Sequence, residues 1–216
     1  MRQGIKDFAA IVARTLPIAG PVYDFGSLQV PGQAQFADLR PIFPTLEYVG
    51  ADMRMGTGVD VLLDLHRIGL PSSSIGTALC LDTLEHVEFP HLAVVEMHRV
   101  LRNQGVLVIS SVMDFPIHEH PHDYWRFSPQ GFRSLLAPFR SAFVGFAGRP
   151  EQPHTVVGVG FKGEAPPLEE FTKGYLRWQA AMSKPGSLRE YARLALPPFL
   201  YAPIARLSRR LRPKGR

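Results

Sequence analysis

Pro21-Val22-Tyr23-Asp24-Phe25-Gly26-Ser27-Leu28-Gln29-Val30-Pro31-Gly32 decides how the rest of the chain is read. An apolar run able to enter a sheet with both faces covered stops at one acidic residue and turns at Gly26. It breaks again at Pro31-Gly32. In open α/β folds, a short buried strand ending on an acid and a glycine faces a nucleotide-sized ligand across the carboxyl edge of the sheet. Gly26 would let backbone come close to that ligand, and unpaired amides of the following turn would face its polar groups.

The pattern repeats downstream. Leu46–Asp52 reads as a second buried strand ending on an aspartate, Val59–Asp64 as a short strand-like run ending on a third aspartate, and Ile75–Leu81 as a strand leading into Asp82. Gly105–Ser110 is the most strand-like run of all. Helical spacing covers Gln3–Thr15 (Ile5, Phe8, Ala9, Val12), weakly Ala34–Leu39, and Phe89–Leu101 (Leu92, Val95, Met97, Val100). Arg102-Asn103-Gln104-Gly105 is expected to form a turn. Short apolar strands alternating with helices imply a parallel sheet with right-handed crossovers. Runs near Ala142–Phe146 and Thr155–Phe161 add antiparallel strands at one edge. The expected fold is therefore α/β: a Rossmann-like, doubly wound, mostly parallel sheet with an antiparallel edge. A helical extension follows it.

Asp24, Asp52 and Asp64 close successive strands, so in a parallel sheet they share one edge. Asp52, about 20–30 residues past the glycine turn, suits pairing with two ribose hydroxyls.

The chain is 216 residues long, with 45% hydrophobic and 20% charged residues, which excludes bulk disorder. The lone Cys80 excludes an internal disulfide framework and fits a reducing cytoplasm, the expected location. The net charge of +5 is a property of the tail. Arg206, Arg209, Arg210, Arg212, Lys214 and Arg216 leave 18 basic against 19 acidic residues before them. The near-neutral remainder gives no case for nucleic acid. The basic end is read as a solvated terminus, with peripheral contact to anionic lipid as the alternative.

The ordered set Val22-Tyr23-Asp24-Phe25-Gly26-Ser27, Tyr48-Val49-Gly50-Ala51-Asp52, Leu63-Asp64-Leu65 and Leu81-Asp82-Thr83-Leu84-Glu85-His86-Val87 resembles class I S-adenosylmethionine-dependent methyltransferases. The likeness is to the branch of ubiquinone-type and small-molecule enzymes. Met97-His98-Arg99-Val100-Leu101-Arg102-Asn103-Gln104-Gly105 matches the same branch, and the resemblance covers roughly residues 20–145. It implies S-adenosylmethionine as cofactor, with Asp24 and Gly26 at its methionine end and Ser27 in the loop backbone. Asp52 would hold the ribose and Met53 would pack on the adenine. Asp64 and Leu65 would touch the adenine edge, and Leu81 and Asp82 would line the reaction pocket. The family's glycine-rich first loop is altered here. Leu28 stands at its second glycine, and the third is displaced to Gly32.

The acceptor side is expected in Phe115–Pro129, where His118, His120 and His122 alternate. His118 or His122 is the expected base for removing a hydroxyl proton. His86 is read as structural or pocket-lining. No second ligand cluster accompanies the three histidines, so no metal is expected. The domain boundaries read as 1–165 for the catalytic domain and 166–216 for a helical, basic extension. The resulting activity is methylation of a hydroxyl on a small molecule or glycan precursor. The alternative is an inactive cofactor-binding partner or scaffold. A nucleotide-sugar or NAD enzyme is disfavoured because neither Gly-x-Gly-x-x-Gly nor Tyr-x-x-x-Lys occurs.

Overall fold

The computed structural model describes residues 1–29, 37–118 and 121–183. It contains a seven-stranded sheet with the order β3-β2-β1-β4-β5-β7-β6. The strands are β1 (Val22–Phe25), β2 (Tyr48–Asp52), β3 (Val61–Leu62), β4 (Ile75–Leu81), β5 (Leu101–Val112), β6 (Ser141–Arg149) and β7 (Gln152–Phe161). β1 to β5 pair in parallel, and β7 is antiparallel to both β5 and β6. Among the described residues, four α-helices accompany them: α1 (Gln3–Thr15), α2 (Pro90–Val100), α3 (Pro129–Leu135) and α4 (Glu169–Met182).

Each strand sends alternate side chains to opposite faces, and both faces are covered. On one face Ala78, Cys80, Leu107 and Ile109 meet Ala93, Val94, Met97 and Val100 of α2 and Phe132 of α3. On the other face Leu79, Leu81, Val106 and Val108 meet Ile5, Phe8, Ala9 and Val12 of α1 and Phe171, Tyr175 and Trp178 of α4. All seven residues of β4 are buried, as a central parallel strand requires. Phe8 carries much of the second layer, with its ring centroid 5.2 Å from Trp178 and 6.2 Å from Phe171. Burying a side chain of that size stabilises the fold by about 2–3 kcal/mol. Ser128-Pro129 starts α3 for two local reasons. The Ser128 hydroxyl accepts from the Gly131 N–H at 3.1 Å, and Pro129 has its φ preset for the first turn.

Three expectations need correction. The third strand is two residues long rather than six. Arg102–Gln104 do not separate helix from strand; β5 already begins at Leu101. Ile75 faces Leu101 and Thr77 faces Val106, so the extra residues of β5 bulge outward, with Gln104 at φ 67°. The boundary at 165/166 falls inside a compact unit that runs Met1–Met182. α4 belongs to that unit because its Phe171, Tyr175 and Trp178 are buried and the Trp178 indole N–H donates to the Gly4 carbonyl at 2.6 Å. Residues 34–36 of the weak helical pattern over 34–39 lie outside the described residues, and residues 184–216, with the basic tail, lie wholly outside them.

α4 also covers one sheet edge at Phe146. On the outer strand β6, the Phe146 N–H donates to the Tyr175 hydroxyl at 3.0 Å. The Phe146 carbonyl accepts from that hydroxyl at 3.1 Å and from the Gln179 amide at 2.9 Å. Among the described helices none is long and apolar enough to cross a membrane.

Candidate active site

A pocket of about 700 Å³ opens at the carboxyl ends of β1 to β5. Asp24, Gly26, Ser27, Asp52, Met53, Asp64, Leu65, Leu81, Asp82, His118 and His122 all line it. The strand order brings together what the sequence spreads over nearly a hundred positions.

At the tip of β1, Asp24 is buried and its Oδ2 accepts from the Tyr48 hydroxyl at 2.6 Å. Burial pushes its carboxyl up to about 6, with the Tyr48 hydrogen bond offsetting part of the effect. Gly26 sits at φ 89°, and a Cβ there would lie 2.2 Å from the Thr83 hydroxyl. Only glycine meets both the dihedral and the approach.

The turn amides are not left for a ligand, which corrects the expectation from the sequence. Gly26 and Ser27 N–H both donate to the Ala51 carbonyl, at 2.8 and 3.2 Å, and Gln29 N–H donates to Thr57. Leu28 N–H reaches Asp52 Oδ2 at 3.3 Å. Asp52 Oδ1 takes the Arg54 N–H at 3.0 Å. Two backbone amides therefore aim this carboxylate, and each oxygen keeps a lone pair for a further donor. The Leu28 side chain packs over Gly56, so the altered loop runs along the 53–58 segment.

Asp64, exposed at the end of the β3 region, accepts from the His66 backbone N–H at 2.8 Å and meets the His66 ring Nδ1 at 2.9 Å. The backbone N–H is the largest influence holding its carboxyl below the usual range, against a smaller opposing effect of burial. Met53, about two-thirds exposed, lies beside Asp52 on the pocket wall.

The far end of the pocket is built differently. Asp82, at φ 49°, is gripped by the Arg2 guanidinium through two bonds of 3.1 and 3.0 Å. Ser110 Oγ donates to the same carboxylate at 2.9 Å. Burial opposes ionisation there, but Arg2 outweighs it and holds the carboxyl below its ordinary value. Arg2 also donates to Thr155 Oγ1 at 2.6 Å and lies over the Phe115 ring. Asp82 is thus engaged within the protein.

A short 3₁₀ turn, Leu84–His86, follows β4 and presents Glu85 and His86. Glu85 is fully buried, and its Oε2 accepts from Ser111 Oγ at 2.7 Å. Burial, reinforced by the nearby charge of Asp82, pushes its carboxyl upward. Sequence reasoning missed Glu85 and Arg2. Glu85 stood within a quoted motif, but a 3₁₀ turn has no periodicity to announce burial. Arg2 meets Asp82 across 80 positions. In the loop, Asp123 receives the Arg126 guanidinium at 2.5 and 2.6 Å and the His118 backbone N–H at 2.7 Å. Those bonds, Arg126 foremost, hold its carboxyl well below the usual range.

A family model described as a methyltransferase domain matches residues 45–109. Three solved structures share the fold. A protein from Archaeoglobus fulgidus described as a SAM-dependent methyltransferase is 14% identical, with a TM-score of 0.58 over 73% of this chain and 93% of that one. A Burkholderia thailandensis 1,6-didemethyltoxoflavin-N1-methyltransferase, solved with its substrate and S-adenosylhomocysteine, is 18% identical with a TM-score of 0.56, covering 74% and 79%. A Thermotoga maritima protein described as a SAM-dependent methyltransferase, possible histamine N-methyltransferase, is 20% identical with a TM-score of 0.53, covering 74% and 89%. No curated protein sequence matches this chain. Residues 45–109 thus match a methyltransferase domain, and the chain shares with these solved structures the fold that places the pocket at the carboxyl edge of its sheet.

Proposed function

We propose that this domain methylates a hydroxyl oxygen of a small molecule or glycan precursor. The observation that carries the reading is one pocket whose wall passes from the aspartates of β1–β3 to the histidines of the loop after β5. On this reading Asp52 accepts from both ribose hydroxyls, its geometry set by Leu28 and Arg54 N–H. Met53 covers the adenine face, and Asp64 and Leu65 meet its edge. Asp24, Gly26 and Ser27 face the methionine end, while Leu81 and Asp82 floor the reacting centre.

The bound cofactor supplies an electrophilic methyl group on a positive sulfonium, so aligning the acceptor is most of the catalytic task. The loop would hold the acceptor hydroxyl in line with that methyl group, and His118 or His122 would take the proton from the hydroxyl. A base on this wall favours an oxygen acceptor, because a neutral amine attacks without first losing a proton. The Burkholderia and Thermotoga proteins are described as N-methyltransferases, so amines form the opposing arm of the test.

Calorimetry of the full chain with S-adenosylhomocysteine should show one site that Asp52→Ala weakens. Methyl release should then appear with hydroxylated acceptors and fall in His118→Ala or His122→Ala. Transfer confined to amines would overturn the oxygen assignment. Tight cofactor binding with no transfer across the panel would leave a cofactor-binding partner in its place.

A further inference from the structure

The loop histidines lack a companion ligand cluster in the sequence, but the fold supplies one. The 3₁₀ turn after β4 brings Glu85 and His86 against His118, and one ligand-capable atom from each lies within 4.8 Å of the others. The two imidazoles meet edge to face, with centroids 4.8 Å apart.

Two independent features mark this as a place built for a cation. First, Glu85 Oε2 is satisfied by Ser111, while its buried Oε1 has no hydrogen-bond partner. A buried acceptor left that way costs about 1–3 kcal/mol, and more if charged, so the site invites an electropositive occupant. Second, both imidazoles are oriented from behind. His86 Nδ1 lies 2.5 Å from the His122 carbonyl oxygen, a contact that only a protonated Nδ1 satisfies. His118 Nδ1 lies 3.2 Å from the Pro116 carbonyl and 3.2 Å from Asp123 Oδ2. Asp123 is itself fixed by Arg126. Each ring therefore carries its lone pair on Nε2, the tautomer that a carbonyl or carboxylate behind a metal-binding histidine enforces.

We propose that Glu85, His86 and His118 bind a divalent first-row transition cation at the acceptor end of the pocket. Two imidazoles and one carboxylate suit zinc, cobalt, iron or manganese rather than magnesium or calcium, which prefer all-oxygen shells. Three protein ligands leave positions open, and an acceptor oxygen would take one of them. That last role rests on the methyl-transfer reading; the binding of the ion does not. With His118 turned to the metal, His122 is the ring left to receive the proton.

The test is a titration of the chelator-stripped full chain with Co²⁺, without cofactor or acceptor. One ion should bind per chain with visible ligand-field bands, and Zn²⁺ but not Mg²⁺ should displace it. Glu85→Gln, which keeps shape and the Ser111 contact, should weaken binding more than tenfold, as should His118→Ala. Asp123→Asn should weaken it roughly tenfold by releasing the His118 tautomer. His91→Ala, an exposed histidine outside the set, should change nothing. Absence of a Co²⁺ site, or a site that Glu85→Gln leaves intact and His122→Ala removes, overturns the proposal. Unchanged circular dichroism and S-adenosylhomocysteine affinity in Glu85→Gln exclude misfolding. Failure of the wild type to bind S-adenosylhomocysteine would break the methyltransferase reading while leaving the metal result standing.

Discussion

The two ends of the pocket are held by different kinds of bond. At the end proposed to hold the cofactor, Asp52 and Asp64 are aimed by backbone N–H groups of neighbours two residues on, or of the adjacent turn. At the Asp82–Glu85 end, three pairs join side chains remote in sequence, Arg2 with Asp82, Arg2 with Thr155 and Glu85 with Ser111, and only Asp123 takes a near neighbour, Arg126. The first end is a product of strand register and would survive most changes of side chain. The second depends on individual partners. It is also the end where a single substitution strands a buried charge.

The largest effect expected from that contrast is on binding. Asp52→Ala should reduce affinity for S-adenosylhomocysteine roughly a hundredfold, since charge-assisted hydrogen bonds are worth about 1.5–3 kcal/mol each. Calorimetry reads it directly, and a loss under threefold would detach Asp52 from the ribose. Of comparable size but different kind, Arg2→Met should cost about 3 kcal/mol of stability in urea denaturation, because Asp82 is left buried without its partner. Adding Asp82→Asn should restore most of that loss; if it does not, the acceptor end is not organised around this pair.

Asp24→Asn probes the join between the two ends. Burial dominates the influences on Asp24, ahead of Tyr48, Arg40, Asp52 and the N-terminal amino group. A folded-state value of about 6, above the ordinary 3.8, means the native state holds this proton more tightly than the unfolded chain does. The resulting penalty is absent below about pH 4 and complete above about pH 6, so stability gains as pH falls through that window. Asp24→Asn should remove the penalty at pH 7, raising stability by about 1–2 kcal/mol, while weakening the cofactor. In the wild type, cofactor affinity should decline as pH drops below 6, where the carboxylate is lost. A flat profile between pH 5 and 7 would remove Asp24 from the methionine end. The smallest change is expected for Leu28→Gly, below about 1 kcal/mol in cofactor binding, because the loop amides are fixed by Ala51, Asp52 and Thr57 rather than by the side chain.

The same contrast explains what the sequence could and could not reveal. Val22–Phe25, Ile75–Leu81 and Gln3–Thr15 carry their periodicity in consecutive residues, and they fold where that periodicity ends. The aspartates were legible because strand tips in a parallel sheet must share an edge. The Arg2–Asp82 clasp was not, since an arginine two residues into the chain carries no local sign of a partner 80 positions away. The orphaned oxygen of Glu85 was invisible for a related reason. Its burial comes from the meeting of a 3₁₀ turn with β5 and the loop that follows. Leu28 marked a departure from the family's loop, yet the fate of the amides around it depended on where β2 would lie.

The contact of α4 with β6 at Phe146 has a bearing on solution behaviour. An open outer strand is a template for another chain, yet here the Phe146 N–H and carbonyl are both occupied by Tyr175 and Gln179. The opposite border, β3, is two residues long, too little for a foreign strand to hold. At Phe146 the outer edge is therefore taken by α4, so mutants that loosen α4 should expose it and be the ones that form fibres or inclusion bodies first.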